Sequence, residues 1–225
     1  MKLRTFKEAA KYTLPVFTGY LFLGMAYGIL MNSSGYSIWR TLFMSGIVLA
    51  GSMQYAAIPL FSSAFAPFGA FLMTLMVNAR HLFYGVTMLE PYRGTGLKKP
   101  YLIFAMTDET FSINASAKLS KECDRNNFYL YVSMLDHFYW TAATLIGYLI
   151  GSAFNLNIRG ISFVMTALFA TIVAQQWEAA RDKRPVVIGI VSSVICLMLF
   201  GKNFIIPSMI AITVLLLVIH PEPQE

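Results

Sequence analysis

Three short polar clusters interrupt an otherwise apolar chain: Asn78, Arg80 and His81; Asp108 and Glu109; and Gly51, Ser52 and Gln54. Each residue type brings its own chemistry. The planar guanidinium of Arg80 matches both oxygens of a carboxylate. Asp108 or Glu109 can receive an ammonium group or hold a coupling proton. Gln54, Asn78 and exposed backbone near Gly51 and Ser52 offer neutral hydrogen bonds. Histidine is the side-chain type whose charge changes nearest neutral pH, so His81 suits a proton relay, or equally a hydrogen-bonded structural role. Together the set suits a small solute bearing one negative and one positive charge, each of which costs several kcal/mol to desolvate unless it is met.

The element that must position the first cluster is the apolar run from Pro67 to Leu89, whose length fits a hydrocarbon core at about 1.5 Å per residue. The run predicts one transmembrane helix. Arg80 then lies about midway, where a charge costs roughly 2.5–3.5 kcal/mol on insertion scales, and too far from either end to snorkel out. Thr74, Asn78, His81 and Gly85 fall on one helical face, with Met76, Arg80 and Tyr84 beside it, so the polar face turns inward. A purely structural pairing of Arg80 with an acid is the competing reading.

Composition sets the class. Hydrophobic residues make up 57% of the 225 and charged residues 12%, against about 25% charged in soluble domains. The chain reads as all-α, a polytopic helical membrane protein of about seven helical segments in a single transport domain, residues 1–225. Membrane lipid is its solvent. The basic excess sits in the N-terminal tail and short loops and argues for orientation, not nucleic acid. Lys2, Arg4, Lys7 and Lys11 before the first run place the N-terminus in the cytoplasm. Cys123 and Cys196 show no metal or disulfide spacing.

Along the chain, a first span is predicted over about Thr13 to Met31, uncleaved, with Pro15 in its first turn and Gly24 and Gly28 as a close-packing pair. Ile38 to Phe65 is too broken for an ordinary span. Either it is a discontinuous or re-entrant helix pair with non-helical backbone at Gly51 to Tyr55, or it is a kinked span. The first choice keeps the loop of Arg93, Lys98 and Lys99 on the cytoplasmic side. Asp108 and Glu109 would stand roughly 10 to 12 Å deep if Tyr101 to Ala117 is helical throughout. That segment is itself re-entrant, or one basic loop breaks the charge bias. A span from Phe128 to Phe154 carries Asp136 and His137, with Gly147 and Gly151 as a second close-packing pair. Being about 100° apart on a helix, Asp136 and His137 make a poor dyad and read as packing or pathway groups. Ile161 to Ala174, a second basic loop near 178 to 184, Val186 to Phe200 and Phe204 to Ile219 complete the chain.

Enzyme readings find no support, since H-E-x-x-H, G-x-S-x-G and P-loop patterns are all missing from the sequence. No cofactor or metal is called for. Arg80 near Asp108 or Glu109, beside a broken helix, instead matches the anatomy of a secondary transporter site. GSMQYAA, NARHLFYG and TDETF, in this order, resemble the AzlC family of branched-chain amino-acid exporters across nearly the whole chain. The resemblance implies a permease of the bacterial inner membrane that exports valine, leucine or isoleucine beside a small AzlD-type membrane subunit. A channel for another small polar solute, or a non-transporting scaffold, is the alternative. The two glycine pairs also leave packing surface to spare for that subunit or for a homo-oligomer.

Overall fold

A computed structural model describes residues 2–62, 67–120, 123–154, 182–201 and 204–218, with isolated positions between 163 and 178. The described residues are helical, and no strand occurs among them. Most of the predicted segment at 161–174 and residues 179–181 of the second basic loop lie outside the described residues. By its contacts the chain divides into two units, residues 1–66 with 77–164, and residues 67–76 with 165–225.

The first unit is built on two long helices, α1 (Lys2–Ser33) and α8 (Arg125–Ala153). They run parallel, because Thr5 meets Asp124 at one end and Gly151 packs on Ile29 near the other. The predicted glycine pairs explain the pairing. A methyl group on Gly28 would lie 2.1 Å from the Thr144 carbonyl oxygen, and one on Gly147 would lie 2.1 Å from that of Met25. Only glycine permits this approach. The two glycine faces are therefore spent on each other, which removes them as an argument for a partner. α1 is also the one helix among the described residues long and apolar enough by itself to cross a bilayer. It begins at Lys2, so Pro15 is interior and not in the first turn as expected. The helix tolerates it because a single amide donor is lost and local hydroxyls, such as Thr18 on the Pro15 carbonyl at 2.7 Å, bond nearby backbone.

Between α1 and α8 the helices are broken. α2 (Ile38–Phe43) runs into a single π turn, Met44–Val48, and α3 (Gly51–Ser62) follows. The break falls at Leu49 and Ala50, where Leu49 takes a left-handed φ of 43°. This corrects the predicted position: Gly51 to Tyr55 is helical, and the non-helical backbone comes just before it. Tyr36, ahead of α2, bonds the Ile58 carbonyl at 3.4 Å and packs on Phe61. Both ends of this hairpin thus stand together, at the end of α1 remote from residue 2.

α4 (Pro67–Val77) and α5 (Arg80–Thr87) replace the single helix predicted over 67–89. The chain turns at Asn78 and Ala79, whose carbonyls accept from the amides of His81 at 2.9 Å and Leu82 at 3.1 Å, three residues on. α6 (Lys99–Phe104) and α7 (Asp108–Ser116) form a second hairpin, broken at Ala105 to Thr107. Lys98 bonds Asn127 at 2.6 Å at the start of α8, and Tyr12 bonds the Lys118 carbonyl at 3.1 Å. Both ends therefore lie at the residue 2 end of α1. Ala9, Met88, Tyr92, Leu102, Met106, Phe128, Tyr129 and Val132 form the apolar core there. Asp108 and Glu109 accordingly sit at a hairpin tip and not partway along a helix.

The second unit contributes the short apolar helices α9 (Arg184–Phe200) and α10 (Ile205–Val218), which pack together.

Candidate functional site

Three helix starts meet about midway along the α1 and α8 pair: Ser52 in the first turn of α3, Arg80 opening α5 and Asp108 opening α7. The guanidinium joins them. Arg80 NH2 lies 2.8 Å from Asp108 Oδ2 and donates to Ser52 Oγ at 3.2 Å. The Tyr84 hydroxyl stands beside Asp108, and its ring stacks on Phe111 at 4.3 Å. Each helix start carries the positive end of the dipole, worth about 0.3–1 kcal/mol to a nearby anion, although at α5 the His81 and Leu82 amides are already bonded to the Asn78 and Ala79 carbonyls. With Arg80 added, one Asp108 carboxylate leaves the cluster in positive surplus. That surplus suits a second carboxylate.

The pair is also incompletely bonded. Arg80 Nε and Asp108 Oδ1 are both shielded and have no hydrogen-bond partner among the described residues. A donor for an anion and an acceptor for a cation thus stand unused side by side. Their side chains are 27% and 31% exposed as a whole, while these two atoms are covered, so a ligand would reach them through a shift of the groups around them.

Other predicted site residues take different positions. Gln54 is fully buried and committed at both ends, donating to the Met44 carbonyl at 2.7 Å and accepting from Trp140 Nε1 at 3.0 Å. It braces the π turn, whose carbonyls would otherwise lose partners. Gly51 packs on the Trp140 ring, where a methyl group would come within 3.2 Å. Asn78 offers its carbonyl to His81 Nδ1 at 3.1 Å, and the His81 ring packs against Tyr84. No described hydrogen bond joins Asn78 or His81 to the Arg80 and Asp108 pair.

Glu109 faces the other way. Tyr20 donates to its Oε2 at 2.7 Å, and Tyr20 and Thr107 hydroxyls lie 2.8 Å apart. Thr107 caps α7, accepting from the Thr110 amide at 3.3 Å and donating to the Thr110 hydroxyl at 3.1 Å. Thr110 in turn donates to Asp136 Oδ2 at 2.7 Å. Asp136 and His137 are separated as expected, His137 Nδ1 lying 3.1 Å from the Tyr101 hydroxyl. Thr107 and Thr110 were visible as the ends of the TDET polar interruption, but their link to Tyr20 and to Asp136 was not. A threonine followed by two acids is a helix-start signature, and it was the available signal for α7. A separate cavity of about 520 Å³, lined by Met31, Trp39, Arg40, Phe43 and Phe61 among others, includes none of these groups.

The chain matches the model of a family described as AzlC protein over residues 15–154. It is 48% identical to the branched-chain amino acid transport protein AzlC of Bacillus subtilis, over 98% of this chain and 87% of that protein. An uncharacterized membrane protein of Helicobacter pylori is 35% identical over 99% of this chain and 98% of its own length. The inner membrane protein YgaZ of Escherichia coli is 25% identical over 79% of this chain and 76% of its own. No solved structure matches the chain.

Proposed function

This membrane protein belongs to the AzlC family, and from that premise we propose that it is a secondary transporter exporting small, branched-chain amino acids. The observation that carries the reading is the unused donor of Arg80 beside the unused acceptor of Asp108, at the meeting of three helix starts. A zwitterionic amino acid supplies one carboxylate and one ammonium, the complement of that pair. Its carboxylate takes Arg80 and the open amides near Gly51 and Ser52, and its ammonium takes Asp108. Gln54 and Gly51 hold the α3 start in place. Nothing in this polar cluster reads an aliphatic side chain, so the cargo class rests on the name of the Bacillus subtilis relative. Export through the bacterial inner membrane, an N-terminus in the cytoplasm, proton drive and a small AzlD-type subunit complete the proposal. Their support is the family resemblance together with the basic N-terminal tail.

A second reading is favoured by the direct 2.8 Å contact of Arg80 with Asp108: the charges neutralise each other and only hold the hairpins in register. Counterflow of labelled valine into liposomes, with the full chain purified alone and with its subunit, separates the two. Saturable counterflow supports the transporter. Non-saturable flux would indicate a channel, and absence of flux the scaffold.

A further inference from the structure

We propose that Glu109 and Asp136 form a proton-binding pair that holds one proton between them, passed along a wire of three hydroxyls, Tyr20, Thr107 and Thr110. The inference deepens the transport reading, and its coupling step rests on that reading. Its geometry is continuous: Glu109 to Tyr20 at 2.7 Å, Tyr20 to Thr107 at 2.8 Å, Thr107 to Thr110 at 3.1 Å, and Thr110 to Asp136 at 2.7 Å. Three of the contacts fall within the usual O–H···O range of about 2.5–3.0 Å, and the Thr107 to Thr110 contact at 3.1 Å lies just beyond it. Three helices supply it, α1 through Tyr20, α7 through both threonines and Glu109, and α8 through Asp136.

Counting protons gives the stoichiometry. Four oxygen-to-oxygen contacts need four protons, and the three hydroxyls supply three. With both carboxyls ionised, Tyr20 donates to Glu109, while Thr107 and Thr110 donate toward Asp136. The Tyr20 and Thr107 oxygens then face each other at 2.8 Å without a proton between them. One proton on either carboxyl completes the set; two would place facing protons on one contact. A proton on Glu109 crosses by moving to Tyr20, whose own proton moves to Thr107, then likewise to Thr110 and to Asp136. Four O–H bonds break, four form, and the negative charge passes from Asp136 to Glu109.

The surroundings define the two ends. Glu109 lies in the first turn of α7, where the helix dipole favours an anion. Asp136 is 1% exposed, and its Oδ1 has no partner among the described residues, an arrangement costly for an ion and milder for an acid. Among the other charged and titratable groups nearby, Asp108 of α7 is paired with Arg80 of α5 and lies beside Tyr84 of the same helix. His137 of α8 turns to Tyr101 of α6. The proton therefore rests on Asp136, and there the two threonine hydroxyls turn round, so that Asp136 donates to Thr110, Thr110 to Thr107 and Thr107 to Tyr20, while Tyr20 still donates to Glu109. Charge arriving at the neighbouring Asp108 shifts it, which couples the wire to the substrate pair.

The test uses the full chain in liposomes. Thr110→Val and Asp136→Asn should abolish uphill, pH-gradient-driven transport of leucine while leaving counterflow at the wild-type rate, and Thr110→Ser should restore it. Uphill transport intact in Asp136→Asn or Thr110→Val overturns the proposal. Infrared difference spectra across a pH titration should show a single protonated-carboxyl band from the pair, lost in Asp136→Asn and shifted in Glu109→Gln and Tyr20→Phe. A spectrum unchanged by both carboxyl substitutions also overturns it. Absence of wild-type counterflow would sink the transport reading instead, and the infrared result would then decide the proton site alone.

Discussion

Arg80 opens α5, at the end of a helix whose dipole opposes a cation. It is held there by Asp108 and Ser52, each touching the same terminal nitrogen. The remaining nitrogens are what a lysine could not replace, since an ammonium is a point charge without the planar fork. Arg80→Lys is therefore expected to keep the ion pair and the fold but weaken amino-acid binding by about tenfold or more, the loss of one charge-assisted hydrogen bond of roughly 1.5–3 kcal/mol. Equilibrium binding of labelled valine to detergent-purified protein would show it, and wild-type affinity would remove Arg80 from the site. Ser52→Ala removes one hydrogen bond from the charged guanidinium, long at 3.2 Å and with the Asp108 contact left in place, so its effect should be smaller, no more than roughly 1.5 kcal/mol.

At the scale of elements, the contact of α1 with α8 predicts a sharp contrast among glycines. Gly28→Ala must displace the Thr144 carbonyl, whereas a methyl group on Gly19 meets nothing within 4 Å. The first should destabilise by about 1–3 kcal/mol through overpacking. The second should be neutral or stabilising by up to about 1 kcal/mol through helix propensity. Thermal unfolding in one detergent would compare them, and equal Tm values would refute the close contact. The glycine spacings were legible in the sequence; that they meet each other was not, because a packing motif does not name its mate. The broken pair at 38–62 was legible from its interrupted apolar run, but its joint was misplaced. Gly51 and Ser52 read as a breaker, yet they begin a helix, while Leu49 adopts the left-handed backbone that sequence would assign to glycine. The run from 67 to 89 gave no sign of its break, since neither Asn78 nor Ala79 is a strong helix breaker. That Arg80 would meet Asp108 or Glu109 was foreseen from charge balance; that it takes Asp108 while Glu109 turns away was not. Nor was the Tyr20 contact, since an apolar-looking aromatic on a span carries no polar signal.

For the whole molecule, the two hairpins enter from opposite ends of the α1 and α8 pair, 38–62 from one and 99–116 from the other. Single cysteines at Arg93 and Lys118 should therefore label from the same side as the N-terminus, and one at Ser34 from the opposite side. Labelling of Arg93 and Ser34 from one side would contradict this arrangement. Native Cys123 comes just after Lys118, and burial pushes its thiol above the ordinary value, so it should react slowly with maleimide at neutral pH. The parallel pairing of α1 with α8 also has a consequence for synthesis. Gly24 finds Ala143 only 119 residues later (143 − 24), a wait of about 6 to 24 s at roughly 5–20 residues per second. Throughout that interval the face of α1 that packs on α8, with Thr13, Gly24 and Gly28, lacks its mate. An insertase or a lipid must shelter this nascent helix, and weakened glycine variants should lose yield at the ribosome before the finished protein loses its shape.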